Sequence, residues 1–331
     1  MKTKTIILFG ATGTVGGYTA LELIAAGYNV IAVGHRKSDN GFFKEMGAVY
    51  YSVDITKKED FKKLPEHNIF AVIHFAGSMP ARMETYNPQE YIDTIVSGTL
   101  NILDYTQSVS ADRIIFSQSI SDVAYACGTT NPIPSDIISK FPLNDDHSVY
   151  SICKNTAVNF IEHYYHKYGI KRFILRLPNI YLYHPNPFYY VDGIKKWQSY
   201  RLLIEKARKG ETIEIWGDPT CKRDIIYIKD FTQIVLKSLT ANVDGGMYNA
   251  GTGIEVSLEE QIKGIVEVFT EDKRSDIIYK KDKPDSPQYI FDISKTMKEL
   301  NYIPKFDYMA YLLDMKDEMT KQRFSKLWGK E

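Results

Sequence analysis

From Thr5 to Ser117, short apolar runs alternate with amphipathic ones. Thr5–Phe9 (TIILF), Asn29–Val33 (NVIAV), Val49–Val53 (VYYSV), Ala71–Phe75 (AVIHF) and Arg113–Ser117 (RIIFS) are rich in β-branched or aromatic residues and bounded by Gly, Asp or polar positions. That pattern predicts strands buried on both faces. Between them, Gly17–Ala26, Lys57–Lys63 and Pro88–Ser108 read as helices. In the last of these Tyr91, Ile95, Ile102 and Tyr105 recur at helical spacing. Strand–helix alternation implies an α/β fold with a doubly wound parallel sheet. Ser148–Tyr168 adds a long helix and Arg172–Arg176 (RFILR) a further strand. After Asn179 the pattern loosens. Tyr181–Trp197 (YLYHPNPFYYVDGIKKW) is aromatic and Pro-bearing, as in a long functional loop.

Bulk properties narrow the class. A chain of 331 residues exceeds what one core usually serves. Lys+Arg and Asp+Glu balance at 41 each, so no nucleic-acid partner is indicated. Cys127, Cys153 and Cys221 are far apart, which suits a reducing compartment rather than a disulfide or zinc framework. His163 and His166 share a helix face but find no third ligand, so no metal is expected. The first apolar run stops at Gly10, and no stretch approaches the ~20 apolar residues of a membrane span. The expectation is a soluble, cytoplasmic protein.

Directly after the first strand comes Gly10-Ala-Thr-Gly-Thr-Val-Gly-Gly17, followed by the helical run YTALELIAA. A Gly-rich turn between strand and helix lets backbone N–H groups and the helix dipole meet a diphosphate. Gly10 and Gly13 would allow the tight turn and Gly16 the close packing of helix on strand. This predicts dinucleotide binding by a Rossmann-type domain over residues 1–180. A smaller mixed α/β substrate lobe is expected over 181–331, with 223–250 returning to the first domain and Arg223–Ile228 rejoining its sheet. About 20 residues past the loop, an acidic side chain would select NAD through the ribose 2′-hydroxyl. Gly34 stands there instead, followed by His35-Arg36-Lys37. Arg36 could pair with a 2′-phosphate, or the cluster is a solvated basic turn. NADP is favoured over NAD on this ground.

One pair invites a chemical reading. In HSVYSICKNTA, Tyr150 and Lys154 are four apart and so share a helix face. Spacing alone proves little, because Tyr279 and Lys283 repeat it inside IIYKKDKPDSP, which does not read as a helix.

The GxxGxxG loop together with this pair resembles the short-chain dehydrogenase/reductase superfamily. The rest resembles its extended branch, the NAD-dependent epimerase/dehydratase family acting on nucleotide-sugars. The carriers are His74-Phe-Ala-Gly77, Gly98-Thr-Leu-Asn-Ile-Leu103, Phe116-Ser-Gln-Ser119 and Arg176-Leu-Pro-Asn179. To these add the block from Trp216-Gly-Asp through Arg223-Asp to Asp230, then Tyr248-Asn-Ala-Gly-Thr-Gly253 and Asp292-Ile-Ser-Lys295. The resemblance implies Ser119, Tyr150 and Lys154 as catalytic residues. It implies cofactor contacts from Gly10, Thr12, Gly13, Thr14, Val15, Gly16, His35, Arg36, Asp54, Ile55, Phe75, Ala76, Gly77, Ser117 and Pro178, besides Tyr150 and Lys154. Asn179, Arg223 and Lys283, with Ser119, would contact a nucleotide-diphosphate sugar. A homodimer through the Pro88–Ser108 and Ser148–Tyr168 helices is implied as well.

Within the family the layout is most like that of the 4-epimerases, with departures that leave the substrate open. Met79 replaces a Lys after the HFAG run, Thr94 and Ile95 replace paired Asn, and Tyr181-Leu-Tyr-His-Pro185 replaces Tyr-Gly-Pro. Only Lys283 matches a second phosphate-binding Arg. The 4,6-dehydratases place Asp-Glu after the catalytic Ser/Thr. Ile120-Ser121 follow Ser119 here, and Ile120 cannot move a proton, so dehydration is not expected.

A tyrosine titrating near ~10 needs help to act as a base at neutral pH. A neighbouring Lys154 ammonium is expected to lower that pKa. The same residues would serve a 4-epimerase, which oxidises a sugar to a ketone and reduces it on the other face, or an NADPH-dependent ketoreductase. A non-catalytic NADP-sensing regulator is the third reading. Arg223 could instead be a structural ion-pair partner of Asp224 or Asp230.

Overall fold

The computed structural model describes residues 3–80, 85–191 and 193–329. Its centre is a seven-stranded parallel sheet. The strands are β1 (Thr5–Phe9), β2 (Asn29–Gly34), β3 (Val49–Ser52), β4 (Ile69–His74), β5 (Arg113–Ser119), β6 (Lys171–Leu177) and Gly245–Asn249. Their spatial order is Gly245–Asn249, β6, β5, β4, β1, β2, β3, so the chain reverses direction across the sheet between β1 and β4. Ligands of doubly wound sheets bind beyond the carboxyl ends of the strands at that reversal.

Apolar residues fill both faces of the sheet, as continuous hydrophobic runs require. Ile6, Leu8, Ile73, Ile115, Phe173 and Leu175 face one core. Ile7, Phe9, Val72, Ile114, Phe116 and Ile174 face the other, together with Tyr150, Cys153, Ala157 and Ile161 of the Asp146–Tyr168 helix. That helix starts with Asp145 and Ser148 bonding each other, and ends where Gly169 turns left-handed at φ 73°.

Three expectations change in detail. Pro88–Ser108 is a short α-turn (Pro88–Tyr91), a π-helical stretch (Ile92–Ser97) and an α-helix (Gly98–Ser108). Where the π-helical stretch passes into the α-helix the backbone packs closely on the chain after β3: a Cβ on Gly98 would sit 2.7 Å from Ile55 Cδ1. Lys58–Lys63 is 3-10 rather than α. The return to the main sheet expected of Arg223–Ile228 is made by Gly245–Asn249 instead. Lys222–Asp224 pairs with Glu255–Ser257 and Ile226–Tyr227 with Ile180–Tyr181. Asp224 draws the stretch that way: its buried carboxylate accepts hydrogen bonds from the Thr252 and Gly253 N–H groups. No helix among the described residues is long and apolar enough to cross a membrane.

Candidate active site

The Gly-rich loop forms because backbone passes where no side chain fits. Gly10 has φ +85°, and a Cβ there would lie 2.7 Å from Ala76 N, while one on Gly16 would lie 2.0 Å from the Gly10 carbonyl. Gly10 thus touches the Phe75-Ala76-Gly77 turn, and helix α1 (Thr14–Ala25) can start directly against β1. Thr14 and Val15 open that helix, half-exposed, with Gly13 exposed before them. A shaped backbone hollow at the N-terminus of a three-turn helix fits a dinucleotide diphosphate.

At the end of β2, Gly34 is not an open position. A Cβ there would meet Thr12 Oγ1 at 2.7 Å and Tyr50 Oη at 3.1 Å. His35 and Arg36 are exposed. Arg36 Nη1 donates to the Leu327 carbonyl at 2.5 Å, so the basic turn is held by a neighbour. Asp54 closes its own turn by accepting from Thr56 N and Oγ1, and Ile55 is buried beside Gly98.

β5 ends in Ser117 and Ser119, and the Asp146–Tyr168 helix lays Tyr150 and Lys154 over them. Ser119 is the hydroxyl that acts on the Tyr150 phenol, and its Oγ also accepts from Ser121 N at 3.2 Å. Lys154 Nζ donates to the Ser117 carbonyl at 2.7 Å and lies 5.9 Å from the centre of the Tyr150 ring. Both side chains are buried, Tyr150 edge-on to Tyr91 at 5.9 Å. Burial pushes the phenol well above its usual range. The Ser119 hydrogen bond pulls it back, while Tyr91 and Asp122 push further. Burial lowers the Lys154 ammonium from its ordinary 10.5 to about 7. The expected lowering of the phenol by Lys154 is therefore not met, because the ammonium is itself desolvated and aimed at the Ser117 carbonyl.

The substrate-side residues lie on three separate elements. Pro178 is buried at the end of β6 and Asn179 is exposed next to it, its N–H 3.5 Å from the Tyr289 hydroxyl. Arg223 Nε donates to the Pro287 carbonyl at 2.8 Å. It pairs with neither Asp224 nor Asp230, which accept backbone N–H groups of residues 252–253 and 305–306. Lys283 is exposed, with its Nζ 5.7 Å from the centre of the Trp216 ring. Loop, Tyr–Lys pair and Ser119 thus gather at the carboxyl ends of β1, β2, β4, β5 and β6, whereas Lys283 lies just beyond a strand of a smaller parallel pair, Ile213–Trp216 with Ile277–Lys280.

The sequence model of the NAD dependent epimerase/dehydratase family matches residues 6–251. This chain belongs to that family. A putative UDP-glucose 4-epimerase of Methanocaldococcus jannaschii is 28% identical over 302 residues, covering 91% of this chain and 94% of that one. A UDP-glucuronate 4-epimerase of Thermodesulfobacterium geofontis is 29% identical over 271 residues, 82% and 76% of the two chains. The crystal structure of UDP-glucose 4-epimerase from Thermotoga maritima with UDP-glucose has the same fold, with a TM-score of 0.76 at 24% identity over 96% of this chain and 99% of that one.

In this epimerase/dehydratase family chain, a polar brace behind Ser119 escaped the sequence reading. Asp122 is fully buried, its carboxylate gripped by Arg176 through Nε at 2.9 Å and Nη2 at 3.1 Å. Ser139 Oγ sits between Asp122 Oδ2 (3.2 Å) and Asn155 Oδ1 (2.7 Å), and Ser121 Oγ meets Ser151 Oγ at 3.1 Å. Ser151 and Asn155 each follow one of the pair, Tyr150 and Lys154, so the brace ties the Ser119 loop to the helix above it. An arginine inside the apolar run RFILR was the one available sign of a buried ion pair.

Proposed function

We propose that this chain is a nucleotide-sugar 4-epimerase that oxidises its sugar transiently, with Tyr150 as acid and base. The observation that carries the reading is buried Tyr150, with Ser119 as the hydroxyl acting on its phenol, one helical turn from buried Lys154 and beside the Gly10–Gly16 hollow. The family's nicotinamide dinucleotide would lie along Gly10, Thr12, Gly13, Thr14, Val15 and Gly16. His35, Arg36, Asp54 and Ile55 would flank its adenosine side, with Phe75, Ala76, Gly77, Ser117 and Pro178 towards its nicotinamide. When bound, it supplies a ring that accepts a hydride from the sugar and returns it.

The remaining chemistry belongs to side chains. Tyr150 takes the proton of the sugar hydroxyl as the adjoining carbon–hydrogen bond breaks, leaving a ketone. Ser119 hydrogen-bonds the ketone oxygen. Lys154, which burial has brought near neutrality, favours the phenolate whenever it carries its proton. After the keto-sugar turns over, Tyr150 returns the proton to an oxygen that now points the other way. Arg223 and Lys283 grip the diphosphate and Asn179 the nucleotide side. Dehydration is disfavoured because Asp122, three residues past Ser119, is locked to Arg176.

The test is incubation of the purified protein with UDP-glucose, UDP-galactose, UDP-glucuronate and UDP-N-acetylglucosamine, followed by NMR of the sugar ring protons. The 4-epimer of at least one should accumulate to an equilibrium mixture, and no conversion of any of the four would overturn the reading.

A second reading, an NADPH-dependent nucleotide-sugar ketoreductase, is favoured by Gly34 and exposed Arg36. Nucleotide released on denaturing the protein separates the two: stoichiometric, tightly held dinucleotide supports the epimerase, and empty protein that takes up NADPH supports the reductase. An NADP-sensing regulator would have no need of Ser119, Tyr150 and Lys154 gathered at the end of β5. Self-association fits the Pro88–Ser108 and Asp146–Tyr168 helices, which expose Ile92, Leu100 and Ile152.

A further inference from the structure

Far from the Tyr–Lys pair in sequence, the segment Phe324–Trp328 is built into the dinucleotide side of the site. Trp328 Nε1 donates to the Thr12 carbonyl at 3.0 Å. The edge of its ring lies over Gly17, where a Cβ would sit 2.7 Å from Cζ2, so this position in the first turn of α1 has room for the indole only as glycine. One residue earlier, the Leu327 carbonyl accepts Arg36 Nη1 at 2.5 Å. The Lys326 carbonyl accepts Asn40 Nδ2 at 2.9 Å, and the Lys326 ammonium pairs with Glu45.

Aromatic packing seats the segment. The Phe324 ring stacks on Trp328 at 4.2 Å and meets Tyr18 at 4.5 Å, and Phe324 and Leu327 are each only 2% exposed. These long-range polar contacts all reach residues between Thr12 and Glu45, the stretch that runs from the Gly-rich loop through α1 and β2.

We propose that this segment is a positioning strap for the dinucleotide: Trp328 sets the Gly-rich loop, and Leu327 sets the Arg36 side chain at the ribose corner. The inference rests on the reading that this family member holds a nicotinamide dinucleotide there. Two physical effects follow. A Thr12 carbonyl held by an indole N–H cannot swing round to face an incoming diphosphate, where its dipole would repel. The partner of Arg36 is a backbone carbonyl rather than a carboxylate, so the guanidinium is oriented without its charge being cancelled and can still meet an anion. The first effect acts on any dinucleotide, the second only on one with a 2′-phosphate.

The experiment measures dissociation constants of NAD+ and NADP+ with the full chain, stripped of bound nucleotide, for wild type, Trp328→Ala, Arg36→Met and the double variant, with melting temperatures alongside. Trp328→Ala should weaken both dinucleotides about three- to tenfold, the scale of one lost hydrogen bond. It should also shift the NADP+/NAD+ affinity ratio in the same direction as Arg36→Met, and cause no further shift of that ratio in the double variant. If Trp328→Ala does not fold, Trp328→Phe keeps an aromatic ring against Phe324 while losing the indole N–H together with its five-membered ring, and should still weaken both. A lower melting temperature with both dissociation constants unchanged would make the segment merely structural and overturn the strap. A ratio that moves with Arg36→Met but not with Trp328→Ala would overturn the Leu327 half of the proposal. Wild type that binds neither dinucleotide would instead sink the underlying reading of the site.

Discussion

The chain contains two Tyr–Lys pairs at the same spacing, and the structure treats them in opposite ways. Tyr150 and Lys154 sit on a long helix, buried, one with the Ser119 hydroxyl acting on it and the other bonded to the Ser117 carbonyl. Tyr279 lies on the strand Ile277–Lys280 and Lys283 beyond its end, both exposed, with the phenol on Glu259 and the ammonium near Trp216. Spacing is a property of the chain, but reactivity comes from what surrounds it. Burial shifts the first phenol and the first ammonium in opposite directions, the phenol up and the ammonium down to about 7, so that each is driven towards its uncharged form. For the second phenol the Glu259 hydrogen bond, in open solvent, dominates.

The sharpest test is chemical. Tyr150→Phe should lower turnover about 10³-fold, within the range of general acid–base catalysis, while dinucleotide affinity stays within about twofold. Tyr279→Phe should leave turnover within about twofold of wild type. Equal losses in a direct assay would erase the distinction between the pairs.

The next test concerns the supports. Asp122→Ala leaves the buried Arg176 guanidinium uncompensated and should cost about 3–5 kcal/mol in urea denaturation. Glu259→Ala, which removes the exposed partner of Tyr279, should cost less than about 1 kcal/mol. If the two are alike, the brace behind Ser119 is not what distinguishes the first pair.

A subtler test uses pH. Lys154 falls from 10.5 when unfolded to about 7 when folded, so between those values the unfolded chain carries a proton that the native one lacks. Stability without added dinucleotide should therefore rise with pH from about 7 to about 10, by roughly 1 kcal/mol per unit from this group. Tyr150 opposes it only above its unfolded value of 10.0, where the native phenol keeps its proton longer. Lys154→Met should flatten the rise and Lys283→Met should not, as followed by denaturant midpoints across that range. A slope unchanged in Lys154→Met would mean the ammonium is not desolvated as its position indicates.

The smallest effect is expected from Ser151→Ala, which removes one rung between the Ser119 loop and the helix. It should cost about 1 kcal/mol of stability and lower kcat severalfold with KM unchanged, read from steady-state kinetics.

The main sheet was readable because parallel strands buried on both faces write themselves as uninterrupted apolar runs; Thr5–Phe9 has the bounds expected of it. The Gly-rich loop was readable because only glycine tolerates the approaches at Gly10 and Gly16. Arg223–Ile228 misled because an apolar run says that a strand is buried but not which strand it joins, and Asp224 decided that through loop N–H groups far along the chain. Arg36 read as a candidate partner for a 2′-phosphate, or else as part of a solvated basic turn. Its carbonyl partner, 291 residues away, leaves no local trace, since any residue supplies a carbonyl. Asp122 and Arg176 were likewise joined only by the fold.

The contact of Gly34 with Thr12 has a consequence for how cofactor choice can change. Installing an acidic residue at position 34, the familiar route to NAD selectivity, drives its Cβ into the Thr12 hydroxyl and methyl at 2.7 and 2.9 Å. Such an exchange therefore asks the Thr12 side chain to shift or shrink as well, with Tyr50 Oη close behind at 3.1 Å, so position 34 and its two neighbours change cofactor choice together.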